Sequence, residues 1–271
     1  MDVTFFWIAF WLYFVGFLFF TLFIAFKARR ISQLGSAAMI LGFLPHTAAL
    51  VLRWVLSTHP PSSNMYEYMS LMSWTAVLAF IFVIARFKKA IVGAFVAPVT
   101  FMLMVSASLL PKDITQQLMP ALQSIWLQIH VFLAAAGEGA FAVAFGVSIM
   151  YLVGRRLESS SMTELARRFP SLELLDEVNY KAISIGFPLF TIGALFAGAI
   201  WAHYAWGSFW SWDPKETGSL IIWLFYAVYL HARRHPRWQG TRAAWMSILG
   251  FIMALLSFFA NMVVGGQHGY T

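Results

Sequence analysis

Apolar residues fill this chain in long runs, and the polar positions fall between the runs rather than alternating within them. A helix that crosses a bilayer needs about 20 apolar residues. Eight such runs can be placed, at approximately 3–26, 36–56, 66–85, 90–110, 127–153, 182–205, 214–231 and 243–264. The pattern predicts an all-α integral membrane protein with eight transmembrane helices, built as one polytopic membrane domain over 1–271. The first run is too long for a signal-peptide core, follows Asp2 rather than a basic segment and precedes no small-residue cleavage site, so it reads as a span. Pro60 and Pro61 separate the second run from the third, because two prolines rule out a continuous helix. The longest polar stretch, 154–179, reads as a loop.

Charge orients these runs. Every second connection carries three or four Lys/Arg (Lys27, Arg29 and Arg30; Arg86, Lys88 and Lys89; Arg155, Arg156, Arg167 and Arg168; Arg233, Arg234, Arg237 and Arg242), and the alternate connections carry one or none. The basic connections belong inside, so both termini are expected on the outer side. The net charge of +7 is explained by this asymmetry and requires no nucleic-acid partner. Composition agrees, with 61% hydrophobic and only 11% charged residues. The chain has no cysteine, which excludes a disulfide within it, a thiolate metal site and a cysteine nucleophile.

The stretch with the densest chemistry is 206–216, Trp-Gly-Ser-Phe-Trp-Ser-Trp-Asp-Pro-Lys-Glu, expected outside the membrane. Trp206, Trp210 and Trp212 with Phe209 suggest a large flat apolar surface. Asp213 as N-cap, Pro214 at the first helical position and Glu216 three residues after the cap form a capping box, so a helix is expected to start there. An interfacial tryptophan belt would account for the aromatics, but a belt does not require the tight Asp-Pro-Lys-Glu tetrad.

The topology sorts the histidines. His231 lies 18 residues beyond Asp213, roughly 27 Å along a helix, near the inner face. His130 and His268 fall near the outer face, so one ligand cannot touch all three. Two imidazoles from different helices beside an aromatic wall suit the axial positions of a haem iron. Lys215 and the helix N-terminus beside it could receive the propionates. Solvated interfacial histidines are the ordinary alternative, and for His231 the alternative is snorkelling beside Arg233 and Arg234. His46 and Glu138 lie inside spans, where polar groups usually face a partner or a cavity. Gly137 and Gly139 flank Glu138 and permit close helix approach, which favours a buried hydrogen bond there. His235 reads as part of the basic inner loop, and nothing assigns His203.

Trp206 to Glu216, together with Trp223 and Tyr229-Leu-His-Ala-Arg233, resembles the "WWD" haem-handling segment of the CcsA family, the membrane component of system II cytochrome c synthesis. The likeness extends to His59-Pro-Pro-Ser-Ser-Asn-Met-Tyr-Glu67, Trp126-Leu-Gln-Ile-His-Val131 and Gly266-Gln-His-Gly-Tyr270, and so covers nearly the whole chain. The resemblance implies a cytochrome c synthase subunit that handles haem b as substrate. His130 and His268 would ligate an outer haem presented on Trp206, Trp210, Trp212, Asp213, Lys215 and Glu216. His231 would supply one ligand of an inner haem, the other coming from a CcsB/ResB-type membrane partner. Haem would move from the inner site to the outer one and react through its vinyl groups with the Cys-x-x-Cys-His thiols of an apocytochrome c. A thiol-reducing thioredoxin-like protein is a further implied partner, and the membrane would be a bacterial plasma membrane or a thylakoid. Gly218 departs from the pattern where a bulky aromatic is expected, which could loosen the wall of the outer site.

Three other readings are weighed against this one. A transporter would usually show interrupted helices or repeats with ionisable groups at mid-membrane. A respiratory haem b subunit generally places histidine pairs inside its spans at both depths. A haem exporter or chaperone of the same superfamily shares every feature above.

Overall fold

The computed structural model describes residues 1–26, 28–114, 116–158 and 169–264, the last six of these by backbone alone. Its long elements are α1 (Asp2–Phe26), α2 (Arg29–Ser57), α3 (Met65–Phe87), α4 (Gly93–Ser108), α5 (Ile125–Glu158), α6 (Leu172–Phe190), α7 (Gly198–Trp206), α8 (Pro214–Ala232) and α9 (Thr241–Val264). A π-helical segment, Thr191–Ala197, joins α6 to α7 without a break, so Leu172–Trp206 is one long rod. The architecture is all-α, as the hydrophobic pattern predicts.

Among the described residues, seven helices are long and apolar enough to cross a membrane. Eight were expected, and the difference is α8. It is 19 residues long, enough to reach across at 1.5 Å per residue, but it opens on Lys215, Glu216, Thr217, Gly218 and Ser219. The other departure is the expected loop over 154–179: α5 runs on to Glu158 and α6 begins at Leu172. Helical hydrogen bonding does not need an apolar sequence, so polar helix ends that leave the bilayer read as loop in a hydropathy pattern.

Two ion clusters tie the helix ends together. Buried Arg53, at the end of α2, donates to Glu67 at 2.7 Å and to Asp2 at 3.0 Å. It also donates to the carbonyls of Lys112 and Asp113 at 2.9 and 2.6 Å. The starts of α1 and α3 and the α4–α5 connection therefore meet at one end. At the other, Asp176 accepts from Arg233 at 2.7 Å and from the Gly240 N–H at 3.0 Å, joining the start of α6 to the end of α8 and the start of α9. Removing Arg53 would leave both buried carboxylates without their cation and cost about 3–5 kcal/mol.

Between the clusters the helices pack through small residues. A Cβ on Gly139 would lie 2.4 Å from Thr75 Oγ1, and one on Gly137 would lie 2.9 Å from the Gly186 carbonyl, so α3 and α6 press on α5 from two sides. His46 is wholly buried between Tyr13 Oη at 3.2 Å and Ser70 Oγ at 3.0 Å, which makes it a satisfied core histidine.

Candidate functional site

The site is built where the end of α7 meets the start of α5. α7 stops at Trp206 because Gly207 takes a left-handed φ of 78° and its N–H returns to the His203 carbonyl. α8 starts with the expected capping box. The Asp213 side chain accepts from the Lys215 N–H at 2.9 Å, and Glu216 Oε2 accepts from the Asp213 N–H at 3.3 Å. The same oxygen takes the Ser211 N–H at 2.7 Å and the Ser211 hydroxyl at 3.1 Å. One carboxylate thus folds the whole turn onto the helix start, and its other oxygen, Oε1, is buried with no hydrogen-bond partner among the described residues.

The tryptophans do not form the flat surface expected of them. Trp210 and Trp212 meet edge to face, with centroids 5.8 Å apart and planes at 89°. Trp212 sits at φ 58°, left-handed for a residue with a Cβ, and is 69% exposed. Such backbone strain persists only where the surroundings enforce it, and here the Glu216 turn does so. Trp206 turns inward, packing edge-on against Trp201 at 5.0 Å.

Trp201 is the residue that sequence reasoning missed. It is buried, donates its indole N–H to the Ala121 carbonyl at 2.8 Å and lies parallel to the His130 ring at 5.8 Å and 10°. Its only signal in sequence is that it precedes the aromatic run by one helical turn. His203, left unassigned by sequence, is exposed and stacks on Phe209 at 4.2 Å.

His130 is held by the π-helical segment. Its Nδ1 lies 3.0 Å from the Gly193 carbonyl, and a carbonyl can only accept, so Nδ1 carries the proton. Nε2 is left with its lone pair. Metal-ligating histidines commonly show this arrangement, with the second nitrogen fixed by a carbonyl. Two glycines make it fit. A Cβ on Gly193 would fall 2.5 Å from the Ala134 N atom, and one on Gly198 would fall 3.0 Å from His130 Nδ1.

Lys215 is within electrostatic reach of both His130 and Glu138. Glu138 accepts the Tyr68 hydroxyl at 2.6 Å, and Tyr68 stacks on Phe258 of α9 at 5.6 Å. The buried hydrogen bond expected of Glu138 is present. At Gly218 a Cβ would lie 1.9 Å from Ser257 Oγ. The glycine lets α8 close on α9.

His231 lies at the far end of α8 from the capping box, exposed, on a cavity of about 460 Å³ with Ala232, Arg234, His235 and Trp238. His235 Nδ1 accepts the Arg237 N–H at 3.2 Å, so in the neutral ring its Nε2 carries the proton and donates rather than ligates. The structure therefore brings His130, Trp206 and Lys215 to one end and leaves His231 at the other. His268 lies outside the described residues.

A bundle of membrane-crossing helices with an aromatic, histidine-bearing turn at one end defines a class: polytopic all-α membrane proteins with a built polar and aromatic turn at a helix start. The particular family follows from likeness. A family model described as "Cytochrome C assembly protein" matches residues 62–268. The chain is 35% identical over 264 residues to "Cytochrome c biogenesis protein CcsA" of Guillardia theta, covering 90% of this chain and 87% of that one. It is 33% identical to the protein of the same name from Gloeobacter violaceus, covering 90% and 88% of the two chains. The Marchantia polymorpha protein of that name is 32% identical and covers 96% and 94%. Among solved structures, "Cytochrome c Heme Lyase CcmF" superposes with a TM-score of 0.74 at 18% identity, over 96% of this chain and 46% of that one, so the chain spans less than half of that protein's length and shares its fold. The chain belongs to the CcsA family of cytochrome c assembly proteins. It is an integral membrane subunit of cytochrome c maturation.

Proposed function

We propose that the chain presents haem b, as substrate, at its tryptophan-rich end, where the vinyl groups react with the two thiols of an apocytochrome c. The topology that goes with this reading has eight spans, α8 being the seventh in order, with both termini and 206–216 on the outer side. His130 and His268 ligate the outer iron, and Trp206, Trp210 and Trp212 wall the ring. Lys215 and the start of α8 receive the propionates. Asp213 and Glu216 hold the turn that carries those aromatics. His231 supplies one ligand of an inner haem, and a CcsB/ResB-type partner supplies the other. A thioredoxin-like reductant keeps the substrate thiols reduced.

The observation that carries this is the His130 tautomer. With Nδ1–H held by the Gly193 carbonyl, Nε2 is a ready iron ligand, and its ring is fixed by Trp201. The chain needs no cysteine because the substrate brings both sulfurs. Its own contribution is positioning, which alone can supply a large share of a rate enhancement.

The test uses the complex purified with its CcsB-type partner. His130→Ala and His268→Ala are expected to weaken haem retention and abolish cytochrome c maturation. Normal maturation in both variants would remove the outer-ligand assignment. His231→Ala is expected to deplete haem at the outer site while leaving the ligand field of the remainder unchanged, and an unaltered haem content would end the relay.

A further inference from the structure

At the Asp176 end of the bundle, Arg155, Arg237, Gln239, Thr241 and Arg242 line a cavity of about 390 Å³. It lies between the last turns of α5 and the first residue of α9. The charges around it are unlike those nearby. Arg233 gives both of its short bonds to Asp176 at 2.7 Å, and Lys181 pairs with Glu177. Arg155, Arg237 and Arg242 have no carboxylate partner among the described residues. Three guanidinium groups therefore share one concavity with no carboxylate paired to them among the described residues.

Two further features bear on it. Thr241 opens α9, a helix of 24 residues, whose first N–H groups have no partner within the helix and whose dipole favours an anion. Arg242 is braced: Nη1 donates to the Arg237 carbonyl at 3.2 Å, and its guanidinium lies 5.5 Å from the Trp238 ring centroid.

We infer that this cavity binds the phosphate of an anionic phospholipid headgroup. Arginine forks match phosphate oxygens in pairs. Arg155 ends one membrane-crossing helix, Thr241 begins another, and Trp238 beside them is an interfacial type of residue. The positive-inside pattern explains why this end is basic. It does not explain why three arginines with no carboxylate partner among the described residues line one cavity with the first residue of α9. A phosphate anchored by acyl chains suits a cavity at the bilayer edge better than a free one, because the membrane holds it at the required depth.

The experiment uses the full chain with its partner, as purified and after reconstitution into nanodiscs of phosphatidylcholine with or without phosphatidylglycerol. Native mass spectrometry counts retained phosphatidylglycerol, and thermal unfolding reads its effect. Arg237→Gln/Arg242→Gln is expected to retain roughly thirtyfold less phosphatidylglycerol, about fivefold per arginine, and to lose the stabilisation it gives. Arg29→Gln/Arg30→Gln, which removes the same charge away from the cavity, is expected to behave as wild type. Equal loss in this control would show a general charge effect and overturn the site. So would undiminished phosphatidylglycerol in the first variant, or equal stabilisation of the wild type by inorganic phosphate alone. Loss of haem with unchanged lipid would also overturn it, by assigning the arginines to the haem carboxylates. A variant that does not fold is replaced by Arg155→Gln alone, read by lipid count.

Discussion

His130 and Gly198 show how little space the imidazole has. A Cβ at Gly198 would stand 3.0 Å from Nδ1 and would have to push the ring away from the Gly193 carbonyl. Gly198→Ala is expected to keep the protein folded but cut haem retention several-fold, read from the bis-histidine absorption of the purified complex; full retention would mean the ring has slack. Histidine candidates could be named from sequence, but not their tautomers, which depend on a carbonyl 63 positions away. Arg53 teaches the same point. It was legible only as an arginine near a span's end, and its partners Asp2 and Glu67 come from two other helices. Glu67→Gln is expected to destabilise the bundle by about 1.5–3 kcal/mol, the range for a lost hydrogen bond to a charged group, while Asp2 still pairs Arg53. Thermal unfolding in detergent checks this.

At the scale of elements, the capping box at Asp213 was fully legible, because it is a contract among four neighbouring residues and needs nothing from the rest of the fold. The π-helical segment was not. Its sequence, Thr191–Ala197, is an ordinary apolar run, and the wide turn is stabilised by what α5 presents to it, at Ala134 and His130. Such segments cluster at functional positions. Gly193→Ala is expected to force α5 away, since the added methyl would meet the Ala134 N atom at 2.5 Å, lowering both thermal stability and haem content. The α8–α9 contact gives a sharper case. Gly218→Ala is expected to lower stability here unless Ser257 is also made glycine. Rescue by that second change would trace the loss to helix approach.

For the whole molecule, the absence of cysteine makes topology directly testable. Single cysteines at Ser208 and Gln239 are expected to react oppositely with a membrane-impermeant maleimide. The first would label in intact cells, and the second only after permeabilisation. Labelling of both from one side would remove the eight-span arrangement and with it the separation of His130 from His231.

The sequence by itself determined the all-helical membrane class, the positions of seven of the crossing helices, the capped start of α8 and the two-ended sorting of His130 and His231. These follow from local length, charge and capping rules, which act over one helix or one turn. Only the tertiary structure decided that the tryptophans splay rather than lie flat, that Trp201 backs His130, that Gly193 fixes its proton and that Gly218 closes a helix pair. Each of these is a contact between residues distant in the chain. Hydrophobic pattern fixes which face of a helix is apolar, but not which neighbouring atom meets it.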